Sequence, residues 1–149
     1  MEPKITIEEK LEARHIVPYI GTGLRALYGN PPYIEYREVE IIGIVHREWE
    51  THPTRIWADN MESQHIWLFR PLLHPLDRIS EPILEGGINI SDLPEVRTNP
   101  GSEYGHAKYL IENGKSVSGT EHWFVELLFR HHFDVFGLID KNLAETIKI

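Results

Sequence analysis

Tyr33-Ile34-Glu35-Tyr36-Arg37-Glu38-Val39-Glu40-Ile41-Ile42-Gly43-Ile44-Val45-His46-Arg47-Glu48-Trp49 decides the fold class of this chain. β-branched and aromatic residues crowd it, and these fit a pleated, half-buried surface better than a helix. Gly43 stands in its middle and predicts a bulge or bend, the device by which small sheets curl. Upstream, Leu24-Arg25-Ala26-Leu27-Tyr28 reads as a strand entered through the Gly21-Thr22-Gly23 turn. Gly29-Asn30-Pro31-Pro32 is the connection, because proline fixes φ and extends the residue before it. Downstream, Thr54 to Ala58 and Gln64 to Arg70 read as two more strands around a turn at Asp59-Asn60. The expectation is an α+β fold with a small bent antiparallel sheet or SH3-like barrel, packed by a C-terminal helix.

That helix is the clearest element outside the sheet. Thr120 is its expected cap, Glu121 lies at the positive end of its dipole, and Arg130, His131 and His132 lie near the negative end. Trp123, Phe124, Leu127 and Leu128, with His131, follow helical spacing and form the face expected to cover the sheet. Thr6-Ile7-Glu8-Glu9 predicts a short helix running to about Arg14. Pro71, Pro75, Pro82, Pro94 and Pro100 argue against long regular elements between them. His74 to Ile79 reads as one helical turn, Thr98 to Ser102 as a loop, and Glu112-Asn113-Gly114-Lys115 as a hairpin or helix-ending turn. Leu138 to Lys141 reads as a final turn ended by a left-handed Asn142, with Leu143 to Ile149 as a closing strand.

The 149 residues suit one domain spanning residues 1–149 with a single buried core. No apolar run approaches membrane-spanning length and the start Met1-Glu2-Pro3-Lys4 lacks the marks of a signal peptide, so a cytoplasmic protein without membrane contact is expected. With no cysteine, any metal must sit on nitrogen and oxygen ligands, and thiol nucleophiles and iron-sulfur clusters are excluded. The net charge of −8 argues against binding duplex nucleic acid. Nine histidines make that charge labile, since protonating all of them would carry it from −8 to +1.

Three stretches carry a family resemblance. Val17-Pro18-Tyr19-Ile20-Gly21-Thr22-Gly23-Leu24 resembles a P-Y-x-x-x-G-L opening, and Leu68-Phe69-Arg70-Pro71-Leu72-Leu73-His74-Pro75-Leu76-Asp77 an L-R-P-L-x-x-L middle. His132-Phe133-Asp134-Val135-Phe136-Gly137-Leu138-Ile139-Asp140-Lys141-Asn142-Leu143-Ala144 is similar to an H-F-D-V-F-G-L-I-x-K-G-L-A ending. Together they resemble small uncharacterised proteins of phages and prophage-like elements from Bacteroidetes. The resemblance implies a phage-type protein acting in the cytoplasm of a host bacterium, and it implies no activity. Asn142 stands where that family has glycine, a change the left-handed position accepts. Residues 83–119 carry no part of the resemblance.

No catalytic constellation is legible. Gly101-Ser102-Glu103-Tyr104-Gly105 only loosely imitates a nucleophile elbow, and Gly21-Thr22-Gly23 lacks the lysine and hydroxyl of a phosphate-binding loop. Glu38 with Glu40, and Glu48 with Glu50, alternate as the wet face of a strand would. His122 and Glu126, one helical turn apart with His131 and His132 beyond, are the reserve candidates for a metal site. The residues chosen for a ligand site are Arg25, Tyr28, Arg47, Trp49, Arg55 and Trp57, because aromatics interleaved with arginines can stack a planar ring and pair its phosphate. The same residue types form protein interfaces. The expected function is therefore non-catalytic and cofactor-free: an accessory protein that sequesters a small charged molecule, such as a host-defence signalling nucleotide, or binds a host protein. A histidine-carboxylate metal hydrolase and a particle-assembly protein forming homo-oligomers are the alternatives.

Overall fold

The computed structural model describes residues 10–51, 53–84, 86–97 and 103–148. β1 (Arg25–Asn30) and β2 (Ile34–His46) form the central hairpin. Ala26 opposite Val39, both buried, fixes the inner face, and period two then sends Arg25, Leu27, Glu38 and Glu40 outward. Gly29 sits where the register slips: a Cβ there would lie 2.9 Å from the Glu35 carbonyl oxygen, so only glycine lets the two backbones approach. The bulge expected at Gly43 is present, as a register shift between Ile41 and Gly43 where β2 meets β3 (Thr54–Ala58). β4 (Gln64–His65) closes the run against β3.

The stretch Gln64 to Arg70 is not one strand. It breaks into β4, a 3-10 turn over Ile66–Leu68, and β5 (Phe69–Leu73), which pairs with β1 on the other side of the sheet. Ile66 and Phe69 are both buried three residues apart, a spacing that a strand would split between two faces and a turn does not. β6 (Glu145–Thr146) lies parallel to β5, giving the order β4-β3-β2-β1-β5-β6. The sheet is thus bent but mixed and open rather than a closed barrel. Its two edge strands, β4 and β6, are not paired with each other as closure would require.

Among the described residues four α-helices accompany the sheet: α1 (Ala13–Ile16), α2 (Pro94–Arg97), α3 (Glu103–Glu112) and α4 (His122–Arg130). The helix start expected at Thr6 and the loop expected over Thr98 to Ser102 lie outside the described residues. α3 has no counterpart in the sequence reading, because it buries only Ala107 and its apolar face is faint. It ends as the Glu112-to-Lys115 turn predicts, with Gly114 at φ +67° and the Lys115 N–H returning to the Leu110 carbonyl. Thr120 does not cap α4; its hydroxyl donates to the Val117 carbonyl and Glu121 takes the cap position. Asn142 adopts the expected left-handed conformation, at φ 61°. No helix among the described residues is long and apolar enough to cross a membrane.

Two hydrophobic clusters result among the described residues. The first lies on the inner face of the sheet and includes Tyr19, Ala26, Val39, Ile56, Phe69, Leu73 and Leu138. The second gathers Ile79, Leu84, Ile90, Ala107, Val117 and Phe133 around the Phe124, Leu127 and Leu128 face of α4. That face therefore packs on turns and α3, and α4 reaches the sheet cluster from its flank, through Phe129 against the Tyr19 ring at 5.0 Å.

Candidate functional site

The six residues chosen from sequence do not form one surface. Arg25 and Tyr28 are three apart on β1, so period two separates them: Arg25 is exposed and paired with Glu38 at 3.2 Å, while Tyr28 is buried against Phe69. Arg47 and Arg55 do converge, from the end of β2 and from β3. Both reach Glu50, at 3.3 and 3.2 Å, and both reach the Ser63 hydroxyl, at 3.4 and 3.2 Å. Arg55 also donates to the Ser63 carbonyl at 2.6 Å. Desolvation pushes the Glu50 carboxyl up, but hydrogen bonds and charge from Arg47 and Arg55 outweigh it and hold the group below its ordinary value. The two guanidiniums are thus already engaged in holding a turn. Glu48 and Glu50 belong to that turn rather than to a strand face, since β2 ends at His46. Trp49 projects from it, 81 % exposed, and Trp57 stands half-exposed opposite Gly43 on the outer sheet face.

A second arrangement is built around Trp67. The 3-10 turn that buries Ile66 and Phe69 rotates the residue between them outward, so Trp67 stands 44 % exposed with a cleft on each side. The first cleft, about 340 Å³, lies between Trp67 and the chain entering α1, with Leu11, Arg14, Thr54 and His65 in its walls. The second, about 250 Å³, runs from Lys10 and Trp67 to Phe69, Arg70 and Leu143. Lys10 Nζ lies 4.1 Å from the Trp67 ring centroid, a cation over the negative face of the indole. Arg70 is fixed at 2.8 Å to Glu145 and to both the carbonyl and side-chain oxygens of Asn142. Lys10, Arg14 and Arg70 stand against two carboxylates, Glu12 paired with Arg14 at 3.3 Å and Glu145 paired with Arg70 at 2.8 Å. In a chain of net charge −8 this local excess of cations suits an anion, and the indole with Leu11, Phe69 and Leu143 suits a flat apolar ring. The signal for it in the sequence is the run Ile66-Trp67-Leu68-Phe69, whose lack of alternation excludes a plain strand.

The reserve residues are distributed along α4. His122 and Glu126 pair at 3.0 Å on its exposed face, beside a cleft of about 580 Å³ shared with Thr22 and Arg130. His131 follows the helix end, and His132 turns away with Nε2 3.0 Å from the Thr22 carbonyl. Among the described residues no three histidines and carboxylates come together in a way that could hold a metal ion. Of the elbow-like Gly101-to-Gly105 stretch, Gly101 and Ser102 lie outside the described residues, and Glu103 to Gly105 begin α3. Asp134, almost fully buried, is structural: burial raises its carboxyl, but its oxygens accept the N–H groups of Leu138 and Ile139 at 2.7 and 2.9 Å and fix the turn after Phe133. Comparison with known protein families, with characterised proteins and with solved structures returns no match to this chain.

Proposed function

We propose that this chain is a non-catalytic binding protein, of the accessory kind its phage-like sequence stretches suggest, and that its ligand is a small anion carrying a planar ring. The observation that carries this reading is Trp67, standing between two clefts with Lys10 over its face and Arg70 behind it. Stacking on an indole contributes about 1–3 kcal/mol per ring. The Lys10 ammonium beside it supplies a charge for an anionic group.

The test is native mass spectrometry of untagged protein, followed by titration with nucleotides and dinucleotides read by tryptophan fluorescence. The expected result is a retained or added small anion that the Trp67→Ala variant no longer holds. Binding that survives in Trp67→Ala would overturn the assignment. A bare protein that binds none of these ligands would favour the host-protein reading instead, for which the hairpin tip speaks: Tyr33 there is 86 % exposed and Tyr36 is exposed beside it.

A further inference from the structure

The two hydrophobic clusters meet at one seam. The His74 N–H, just past β5, donates to the His132 carbonyl at 2.8 Å, and the Asp134 N–H donates back to the His74 carbonyl at 2.9 Å. Leu73, one residue before this bridge, belongs to the sheet cluster, and Phe133, the bridge partner of His74, to the helical one. Two further bonds cross the same place: the Tyr19 hydroxyl donates to the Phe133 carbonyl, and His132 Nε2–H reaches the Thr22 carbonyl. Residues 132–134 thus carry the polar stitching between the sheet side and the α4 side.

Three histidines occupy this seam. His74 is 8 % exposed, its ring lies 5.6 Å from that of Phe133, and its buried Nδ1 has no hydrogen-bond partner among the described residues. His131 and His132 face it from the end of α4. The other charged groups around them are mostly positive: Arg78 beside His74, and Arg130 beside His131. Glu95 is the carboxylate that faces His131, and it is shared with Arg130 at 3.8 Å. Asp134 offers no help, because its oxygens are turned to the Leu138 and Ile139 N–H groups. Protons entering here meet neighbouring positive charge and an apolar wall, and both disfavour them.

We propose that this seam is an acid-released latch, in which protonation of the His74, His131 and His132 group parts the helical cluster from the sheet cluster while the strands stay paired. Burial, then His132, Arg78 and His131 in turn, push His74 from 6.5 to about 4; burial also lowers His131 and His132. At these histidines the unfolded chain binds more protons than the folded one between pH 6.5 and about 4, so their contribution to the latch is intact above that window and weakens as pH falls through it, while the raised Asp134 carboxyl acts in the opposite sense.

The experiment is amide hydrogen exchange on the whole chain, expressed as protection factors so that the intrinsic pH dependence cancels. Between about pH 7 and about pH 4.5 the His74 and Asp134 amides should lose at least about tenfold more protection than Ile41, whose N–H donates to the Leu24 carbonyl inside the sheet. His74→Phe keeps the ring contact and removes the proton site; its release midpoint should fall by about half a pH unit or more. His122→Gln, at the exposed start of α4, should keep the wild-type midpoint. Protection lost in parallel at His74, Asp134 and Ile41 would refute the latch, as would a folded His74→Phe variant with an unchanged midpoint. Should His74→Phe not fold, the wild-type exchange profile alone decides.

Discussion

The sheet side and the helical side of this molecule bury rings of the same kind by different means. On the sheet side, ladders place the strand residues: Ala26 faces Val39, the partly buried Ile44 faces Ile56, and Tyr28 faces Phe69. On the helical side, Phe124, Leu127 and Leu128 are placed by one helix, and their partners Ile79, Leu84, Ile90 and Val117 come from short turns scattered along forty residues of chain. A ladder transmits a local error to its neighbours through shared backbone bonds, whereas a turn can give way alone. Equal burial therefore does not imply equal cooperativity.

Truncating one ring on each side tests this contrast most directly. Phe69→Ala and Phe124→Ala should each cost roughly 3–5 kcal/mol in urea unfolding. The Phe69→Ala loss should appear at one midpoint by all probes, while Phe124→Ala should separate a first, helical transition from a second. Coincident transitions in both variants would make the two clusters one unit. A smaller effect, confined to the sheet, is expected from Gly29→Ala, whose Cβ would press on the Glu35 carbonyl; about 1–3 kcal/mol should be lost without change in the helical signal.

Asn142 comes next. Asn142→Ala should cost roughly 1–2 kcal/mol from its left-handed backbone alone. Asn142→Gly should recover most of that and lack only the bond that Arg70 donates to the Asn142 side chain. Thermal melts of the two variants side by side check it. Smallest is Glu50→Gln in the partly buried arginine turn: only a slight fall in melting temperature is expected at physiological salt. The Glu50 carboxylate, held below its ordinary value, gives any contribution only above that range and loses it on acidification. A clear destabilisation at neutral pH would show the turn to be part of the ladder.

The difference between the two sides also explains what the sequence made legible. β1, β2, β3 and the bulge at Gly43 follow from β-branched density and turn residues within a few positions, as does the left-handed Asn142. The split of Gln64 to Arg70 depends on β5 finding β1, more than forty residues back along the chain, and α3 depends on Ala107 meeting Val117 and Phe124; neither signal is local. For the site, residue type pointed to arginine and tryptophan, and of those residues the fold brings Arg47 and Arg55 together while it parts Arg25 from Tyr28. Period two alone argues that Arg25 and Tyr28 cannot share a face. The turn that exposes Trp67 exists because Ile66 and Phe69 must both be buried, a fact of packing rather than of composition.

The pairing of Leu72 with Glu145 sets an order in time. β1, β2 and β3 can meet as soon as the first sixty residues have emerged from the ribosome, since each strand joins its neighbour through a short connection. β5 must then wait for β6, across most of the second half of the chain, and loop closure over that distance slows the step. During synthesis the growing chain would pass through a stage with β5 docked on β1 and its outer edge bare, open to whatever strand arrives first. Pulsed hydrogen exchange during refolding should protect the Ile41 amide before that of Ile147, which donates to the Leu73 carbonyl; simultaneous protection would argue that the last strand is in place from the start.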